Sequence, residues 1–371
     1  MATKKKVKKK TSKKAGKKKV APKKRTKKTA KKTAKKKTKK KAKKKVAKKA
    51  AKKPAARKVA KKTAKKSKVK LTQSQHYDYV PIIDRKPFKL PKGARVAVMP
   101  YINIEHFPAA IPGTPLIPGT AGFSPDPLNY GWRDYGNRVG LWRMMDMMDE
   151  CGMRGTVCLN GEIIREYPRI IEEGEKRDWA WIGHGVNNAP ANFIGNVRNP
   201  DGSLSELPEA KEREILEATL GTMEKTLGRK TKGWLSPFLT HTDNTPRLLE
   251  EYGVEYLCDY TADDHPFKFN TPKDNLISVP YTVEINDIPA FLNLGVSSEA
   301  FGDMIIDQFD ILYEEGATNA RCMPICLHTF HVGQPNKFKH LARAFRYIAS
   351  HKDVWLTTGD EMNDWYRKNN M

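Results

Sequence analysis

Eight short apolar runs recur along the chain, and most of the segments between them have helical character. The runs are 95–102, 155–160, 179–184, 233–238, 254–259, 276–281, 320–328 and 354–358. Runs this short and this apolar are typical of strands buried on both faces, as in parallel sheets. Strands that alternate with helices predict an α/β fold, most simply a closed or nearly closed barrel.

Two segments between the runs are distinctive. Residues 138–152 place apolar side chains, several of them methionines, at helical spacing and end at Gly152, a residue suited to a C-terminal cap. We interpret the methionines as core filling. Residues 108–127 contain too many Pro and Gly for a helix or strand, so we predict a long loop over the site.

The first 70 residues differ sharply in composition from the rest. They contain 39 Lys and Arg, no Asp or Glu, and no aromatic residue before Tyr77. Such a segment buries too little apolar surface to offset its chain entropy, which predicts a disordered tail over 1–70 and one catalytic domain over 71–371. The whole chain carries +29, but 71–371 has 31 basic and 41 acidic residues, a net charge of about −10.

The tail has a predicted partner. Lysine at this density favours salt-dependent binding to nucleic acid or another polyanion without sequence preference. The alternative is a solubilising tail with no dedicated partner. In its Lys/Ala-rich composition the tail resembles those of linker-histone-like proteins, and this resemblance covers residues 1–70 only.

The chain has neither the apolar stretch of a secretory signal nor that of a membrane span. We therefore expect a cytoplasmic protein that does not enter a membrane. The five cysteines are scattered in apolar surroundings and are predicted to be reduced core residues. They are Cys151, Cys158, Cys258, Cys322 and Cys326.

Polar side chains stand at the ends of four runs. The first run leads into Asn103 and Glu105, and three others end at His184, Asp259 and His328. Strand periodicity turns Asn103 and Glu105 to the same side, and carboxyl ends of parallel strands meet at one edge, so we expect these groups to converge. Carboxylates with imidazoles can polarise a carbonyl, activate water and protonate a leaving nitrogen. The sequence therefore favours hydrolysis of an amide-type bond.

Seven short sequence motifs are similar to those of a known family, namely YINIEHF, RDYGNRVGLWRMMD, LNGEIIREYP, GHGVNN, GRKTKGWLSP, CDYTADDHP and LHTFHVGQP. Over about residues 95–366 the chain resembles the polysaccharide deacetylase (NodB-type) superfamily, and within it the allantoinase-like branch. The resemblance implies a distorted (β/α)7 barrel. It also implies hydrolysis of a carbon–nitrogen bond other than a peptide bond.

The resemblance assigns roles to four residues. Glu105 and His184 fall on metal-ligand positions, His328 on the general acid, and Asp259 in the motif whose carboxylate assists that acid. Our hypothesis makes Glu105 the base or water-orienting group, His184 a hydrogen-bond donor to the substrate carbonyl, and His328 the proton donor. For Asp259 the neighbouring acidic residues 263 and 264 remain alternatives.

Three positions depart from the family pattern. Asn103 replaces an acidic base, Asn188 replaces a second histidine ligand, and Leu235 stands where an arginine is usual. An amide cannot accept a proton and is a poor zinc ligand. The allantoinase-like relatives are thought to work without metal, so we predict either no cofactor or a divalent metal such as zinc held weakly by Glu105 and His184.

Substrate binding is assigned to Asn103, Asn188 and Arg138. A guanidinium suits a ureide or carboxylate, and Arg133 and Arg143 in the same motif are alternatives to Arg138. Two further acidic residues, Glu284 and Asp287, either line the pocket or cap a turn.

Three functions are compared on this basis. Because no export signal is seen, hydrolysis of a small intracellular amide or ureide is preferred. The alternatives are a metal-dependent N-deacetylase of a carbohydrate and an inactive barrel that associates with nucleic acid through its tail. A homo-oligomer remains open.

Overall fold

A computed structural model describes residues 74–371 except 112, 114, 190–192 and 199–202. The predicted disorder of 1–70 and its predicted binding to a polyanion lie outside the described residues. Among the residues that are described, no helix is both long and apolar enough to cross a membrane.

Each of the eight predicted runs contains one strand of a single sheet. The strands in chain order are β1 Val96–Ile104, β2 Thr156–Leu159, β3 Ala180–Gly183, β4 Asn196–Arg198, β5 Leu204–Glu206, β6 Gly233–Trp234, β7 Tyr256–Leu257, β8 Phe267–Lys268, β9 Ile277–Ser278, β10 Arg321–His328 and β11 Val354–Leu356. Only β4, β5 and β8 fall outside the predicted runs, and β4 and β5 form a separate antiparallel pair.

Seven strands follow one another in parallel, in the order β10-β1-β2-β3-β6-β7-β9. Strand β8 is added antiparallel to β9, and β11 pairs with the first residues of β1. A bridge between Asn286 and Cys326 brings the far end of the sheet back to β10. The α/β prediction is confirmed, with the sheet forming a half-barrel.

The two ends of the half-barrel sheet meet along β10, and this strand contains a proline, Pro324, at the junction. The amide of Cys322 donates to the carbonyl of Asp264 and the amide of Cys326 to that of Ile285, both at 2.9 Å. Between them, Pro324 has no amide hydrogen to donate. Strand β10 therefore has no unpaired backbone amide at Pro324, where no backbone acceptor lies on that side of the strand.

Nine helices surround the sheet within the described residues. They are α1 Pro127–Tyr135, α2 Leu141–Glu150, α3 Gly161–Glu166, α4 Pro168–Glu175, α5 Glu209–Leu227, α6 Thr245–Tyr252, α7 Ser298–Glu315, α8 Pro335–Ala349 and α9 Gly359–Asn370. The methionines of α2 are buried in the same apolar cluster as the inner faces of α7 and α8, which confirms them as core. Gly152 follows α2 with φ +64°, as a helix end requires.

The two faces of β1 belong to two apolar clusters. Val98, Ile102 and Ile104 pack towards the helices, whereas Met99 and Tyr101 lie in the interior cluster. Strand periodicity then turns Asn103 to the interior as well. Four of the five cysteines are fully buried and all five are free thiols, so the prediction of reduced core cysteines is confirmed.

Candidate active site

Three side chains from three strand ends meet at the carboxyl edge of the sheet. Glu105 follows β1, His184 follows β3, and His328 is the last residue of β10. Oε1 of Glu105 lies 3.4 Å from Nε2 of His184 and 3.9 Å from Nε2 of His328. The side chains of Glu105, His184 and His328 are 7%, 4% and 10% exposed, so water screens their charges little.

Two amide side chains fix the orientation of Glu105. Nδ2 of Asn188 donates to Oε1 of Glu105 at 2.6 Å. Oδ1 of Asn188 accepts from Nδ2 of Asn160 at 3.2 Å, and Asn160 also donates to the carbonyl of His184. Asn188 therefore presents its nitrogen to Glu105 and its oxygen to Asn160. The sequence interpretation did not include Asn160, although it directly follows β2 and so shares the strand-end position of the other site residues.

The backbone at Leu235 sets the orientation of His184. Nδ1 of His184 lies 2.8 Å from the carbonyl oxygen of Leu235, which can only accept, so Nδ1 carries a proton. Nε2 then faces Glu105. This bond uses the main chain of Leu235 and does not depend on its side chain.

The carboxylate beside His328 is Asp287. Its Oδ1 lies 2.7 Å from Nδ1 of His328, and its two oxygens also accept from the backbone amide of His328 at 3.1 and 2.9 Å. Asp287 is fully buried. Our sequence interpretation gave this role to Asp259 and left Asp287 as a pocket or turn residue; the contacts correct that assignment.

Asp259 lies elsewhere in the interior. Its Oδ1 accepts from the amide of Ser236 at 2.7 Å, and no contact joins it to His328. Burial raises the pKa of Asp259, although His241, Ser236 and His184 act in the opposite sense. The alternative residue Asp263 is paired with Arg85.

Glu105 and His328 influence each other's charge. Burial alone would raise the pKa of Glu105, but His328, His184 and Asn188 outweigh it and lower that pKa. Burial alone would lower the pKa of His328, but the carboxylates of Asp287 and Glu105 outweigh it and raise that pKa. Both shifts favour an ionised Glu105 beside a protonated His328.

Asn103 contacts the protein rather than the cavity. Its Nδ2 donates to Oη of Tyr281 and to the carbonyl of Leu327, both at 3.2 Å. Leu327 directly precedes His328, so Asn103 ties the end of β1 to the end of β10. These contacts give Asn103 a positioning role in place of the substrate contact expected from sequence.

A small cavity of about 10 Å³ covers Glu105 and has room for about one water molecule. It is lined by Glu105, His106, Phe107, Tyr130, Arg133, Asp134, Asn137 and Tyr167. The predicted long loop passes over it, because a methyl group added at Gly113 would lie 3.1 Å from Cζ of Arg133. A wider cleft of about 1220 Å³ is lined by none of the three central side chains, whereas the small cavity is lined by Glu105 but not by His184 or His328.

The three arginines of the first helical motif have different environments. Arg138, which the sequence interpretation favoured, has a side chain 73% exposed and lies 3.7 Å from Asp134. Arg143 donates to Oη of Tyr135 at 3.1 Å and to the carbonyl of Gly333. Of these three arginines only Arg133 lines the cavity, and Arg138, which the sequence assigned to substrate binding, does not.

Two glycines of the same motif allow the segment after His328 to approach. A methyl group on Gly136 would overlap the amide of Phe330, and one on Gly140 would overlap the carbonyl of Thr329. The RDYGNRVG segment therefore needs glycine at these points because backbone occupies the space of a side chain. This contact supports the turn that follows β10.

Comparison with known proteins identifies the domain. Residues 132–257 match the family model described as polysaccharide deacetylase. Over these residues, about a third of the chain, it is similar to polysaccharide deacetylases. A putative polysaccharide deacetylase from Schizosaccharomyces pombe is 25% identical over 252 residues, which span 62% of this chain and 73% of that protein. The family supports carbon–nitrogen bond hydrolysis as the general class of reaction.

Two crystal structures have a fold similar to that of this chain. Puue allantoinase has 23% identity and a TM-score of 0.66, covering 81% of this chain and 99% of its own. A probable polysaccharide deacetylase from Pseudomonas aeruginosa PAO1 has 24% identity and a TM-score of 0.65, covering 78% of this chain and 97% of its own. These structures support the half-barrel architecture.

The metal site typical of deacetylases does not fit the residues present. A zinc site uses three or four protein ligands. Glu105 and His184 supply two, and the nearest third group, Asn188, turns a hydrogen-bond donor towards Glu105. Within the described ranges no group of three or more His, Cys, Asp or Glu side chains is arranged to hold a metal. We therefore derive no catalytic step through a metal.

Proposed function

We propose that the domain hydrolyses a carbon–nitrogen bond in a small amide or ureide. The observation that carries this proposal is the convergence of Glu105, His184 and the His328–Asp287 pair at one strand edge. The groups are a carboxylate, an imidazole turned towards it, and an imidazole held by a second carboxylate.

Glu105 orients the attacking water. Its lowered pKa keeps it ionised, and Asn188 and His184 hold the carboxylate in place. The water attacks the carbonyl carbon and passes its proton to the carboxylate. Because Nδ1 of His184 already donates to Leu235, Nε2 has a proton to offer the carbonyl oxygen only in the imidazolium form.

His328 supplies the proton that the leaving nitrogen needs. Its raised pKa keeps Nε2 protonated towards neutral pH, and Asp287 fixes Nδ1. Collapse of the tetrahedral intermediate breaks the carbon–nitrogen bond while this proton moves from Nε2 to the nitrogen. The products are a free amine or amide nitrogen and a carboxylic or carbamic acid.

The test is turnover of a panel of compounds by the wild-type protein, His328→Ala and a control, His340→Ala. The panel contains allantoin, N-carbamoylglycine, a formamide and an N-acetyl sugar, each with and without zinc. We expect the wild-type protein to turn over an amide or ureide without zinc. His328→Ala should lose about 10²–10⁴-fold of this activity, whereas His340→Ala, whose side chain lies on α8, should lose none. An unaffected His328→Ala would contradict the proposal.

The family match favours one second candidate, a metal-dependent N-deacetylase of a carbohydrate. Turnover of the N-acetyl sugar alone, and only with zinc, would select it. Binding of nucleic acid or another polyanion by residues 1–70 and assembly into a homo-oligomer remain separate proposals from the sequence.

A further inference from the structure

One peptide unit links two buried side chains at the strand ends. The carbonyl of Leu235 and the amide of Ser236 belong to the same planar peptide group. The carbonyl oxygen accepts from Nδ1 of His184 at 2.8 Å, and the amide donates to Oδ1 of Asp259 at 2.7 Å. The carboxylate of Asp259 is therefore joined to the His184 ring through a single peptide unit.

This peptide is the hydrogen-bond partner of Asp259. The side chain follows β7 and the residue is 8% exposed. Its second oxygen, Oδ2, is buried and has no hydrogen-bond partner among the described residues. Burial of a carboxylate is costly unless hydrogen bonds offset it, and here the amide of Ser236 provides that bond. Asp259 is thus directed at the 235–236 peptide.

The turn that follows this peptide is strained. Phe238 and Leu239 have φ of 58° and 55°, a left-handed conformation that is unfavourable for such side chains. Before the turn, the amide of Leu235 donates to the carbonyl of Gly183, and within it the amide of Leu239 donates to the carbonyl of Ser236. The bond to the carboxylate lies between these two. Without it, relaxation of the turn would rotate the peptide and move its carbonyl away from the imidazole.

From this arrangement we propose that Asp259 is a positioning residue, which acts through the 235–236 peptide to fix the orientation and the tautomer of His184. With Nδ1 bound to the carbonyl, Nε2 stays directed towards the reacting groups. The inference rests on the proposed function for the part that His184 plays in the reaction, and it adds the group that sets its geometry. Each imidazole of the site then depends on one carboxylate, His328 through a direct bond to Asp287 and His184 through a peptide.

The test replaces Asp259 in the full-length protein and locates the proton of the neutral His184 ring by nitrogen NMR, without substrate. In the wild-type protein we expect this proton on Nδ1. Asp259→Ala removes the acceptor of the Ser236 amide and should release the ring, so that the proton is shared between Nδ1 and Nε2. Asp259→Asn keeps an oxygen for that amide and should keep the proton on Nδ1.

Turnover provides the second readout, with whichever panel compound the wild-type protein hydrolyses. Asp259→Ala should lower kcat by about 10²-fold, because a misplaced catalytic group costs rate more than binding, and should change KM by much less. Asp259→Asn should restore most of this loss. A residue with only a structural role would not give this rescue together with the matching change in the His184 ring.

Asp263→Ala is the matched control, because it removes a carboxylate of the same segment that pairs with Arg85, and should leave the His184 proton on Nδ1. If Asp259→Ala does not fold, Asp259→Leu removes the acceptor and fills the space. A proton that stays on Nδ1 in these variants, one that leaves Nδ1 in Asp259→Asn, or an unchanged kcat in Asp259→Ala would overturn the proposal. The expected NMR result in a protein that hydrolyses no panel compound would contradict the proposed function and support this inference.

Discussion

Asp287→Asn should show what the negative charge of Asp287 contributes to His328, because asparagine has a similar shape but no charge. In the native site the carboxylate accepts from Nδ1 of His328 at 2.7 Å and from its backbone amide at 2.9 and 3.1 Å. Asparagine keeps one oxygen, which at the Oδ1 position still faces both donors, but it carries no negative charge and turns an NH2 group towards the backbone amide that donates to Oδ2 at 2.9 Å. Losing one charge-assisted hydrogen bond in a fully buried position should lower the free energy of unfolding by about 1–3 kcal/mol.

The effect on activity follows from the sign of the pKa shift. Asp287 and Glu105 raise the pKa of His328 against the effect of burial, so the protonated acid persists to higher pH. Without the Asp287 charge that pKa falls and the acid is lost at neutral pH. We expect kcat/KM at neutral pH to drop by about 10²–10⁴-fold. The basic limb of the pH profile should move to lower pH, with partial recovery of activity in acid.

Two measurements check this prediction across about pH 5–8, where histidines titrate. One is kcat/KM for whichever panel compound is turned over. The other is an NMR titration of the His328 ring, which needs no substrate. Asp259→Asn is the control, because it removes a buried carboxylate that does not contact His328 and should leave the limb in place. A limb that stays fixed in Asp287→Asn, or moves in Asp259→Asn, would refute the reasoning.

Two further predictions concern the metal and the stability. Asn188→His should bind zinc at least about tenfold more tightly than the wild-type protein in a calorimetric titration, because it adds a third ligand beside Glu105 and His184. The control is Asn187→His, at a neighbouring amide that is bonded to Glu162. Tight stoichiometric binding of zinc by the wild-type protein would disprove the description of a site with only two ligands, Glu105 and His184. Burial raises the pKa of Asp360 to about 6. The protonated carboxyl therefore contributes its full stabilising effect below the pKa of the unfolded state, and this contribution is lost as pH rises through about 6. Asp360→Asn should therefore increase the free energy of unfolding at neutral pH by about 1–3 kcal/mol, with no gain at pH below about 4; a loss of stability at neutral pH in denaturant titrations would contradict this.

The strands were predictable because a buried strand has a recognisable local pattern of apolar residues. A strand covered on both faces must be apolar along its length, so the eight runs could be read directly from the sequence. The residues at their ends were predictable for the same reason, since parallel strands place their carboxyl ends at one edge. The strand-end rule predicts Glu105, His184 and His328 from the sequence alone.

The partners of those residues were not predictable from sequence. Asp287 and Asp259 are both acidic residues after short apolar segments, and only the bridge between Asn286 and the middle of β10 brings Asp287 to His328. Arg133 and Arg138 lie five residues apart in one motif, and the path of the helix decides which is buried. Asn160 carried the same strand-end signal as the others but was not used.

The sequence by itself therefore determined the α/β architecture and the three central groups of the site, because hydrophobic burial and strand direction act locally and repeat along the chain. The tertiary structure decided which carboxylate holds His328, which arginine faces the cavity, and which way Asn188 turns its amide. These choices depend on contacts between residues distant in sequence, up to 83 positions apart for Asn188 and Glu105. A hydrogen bond of that kind is determined by the packing of whole elements and leaves no periodic pattern in the chain.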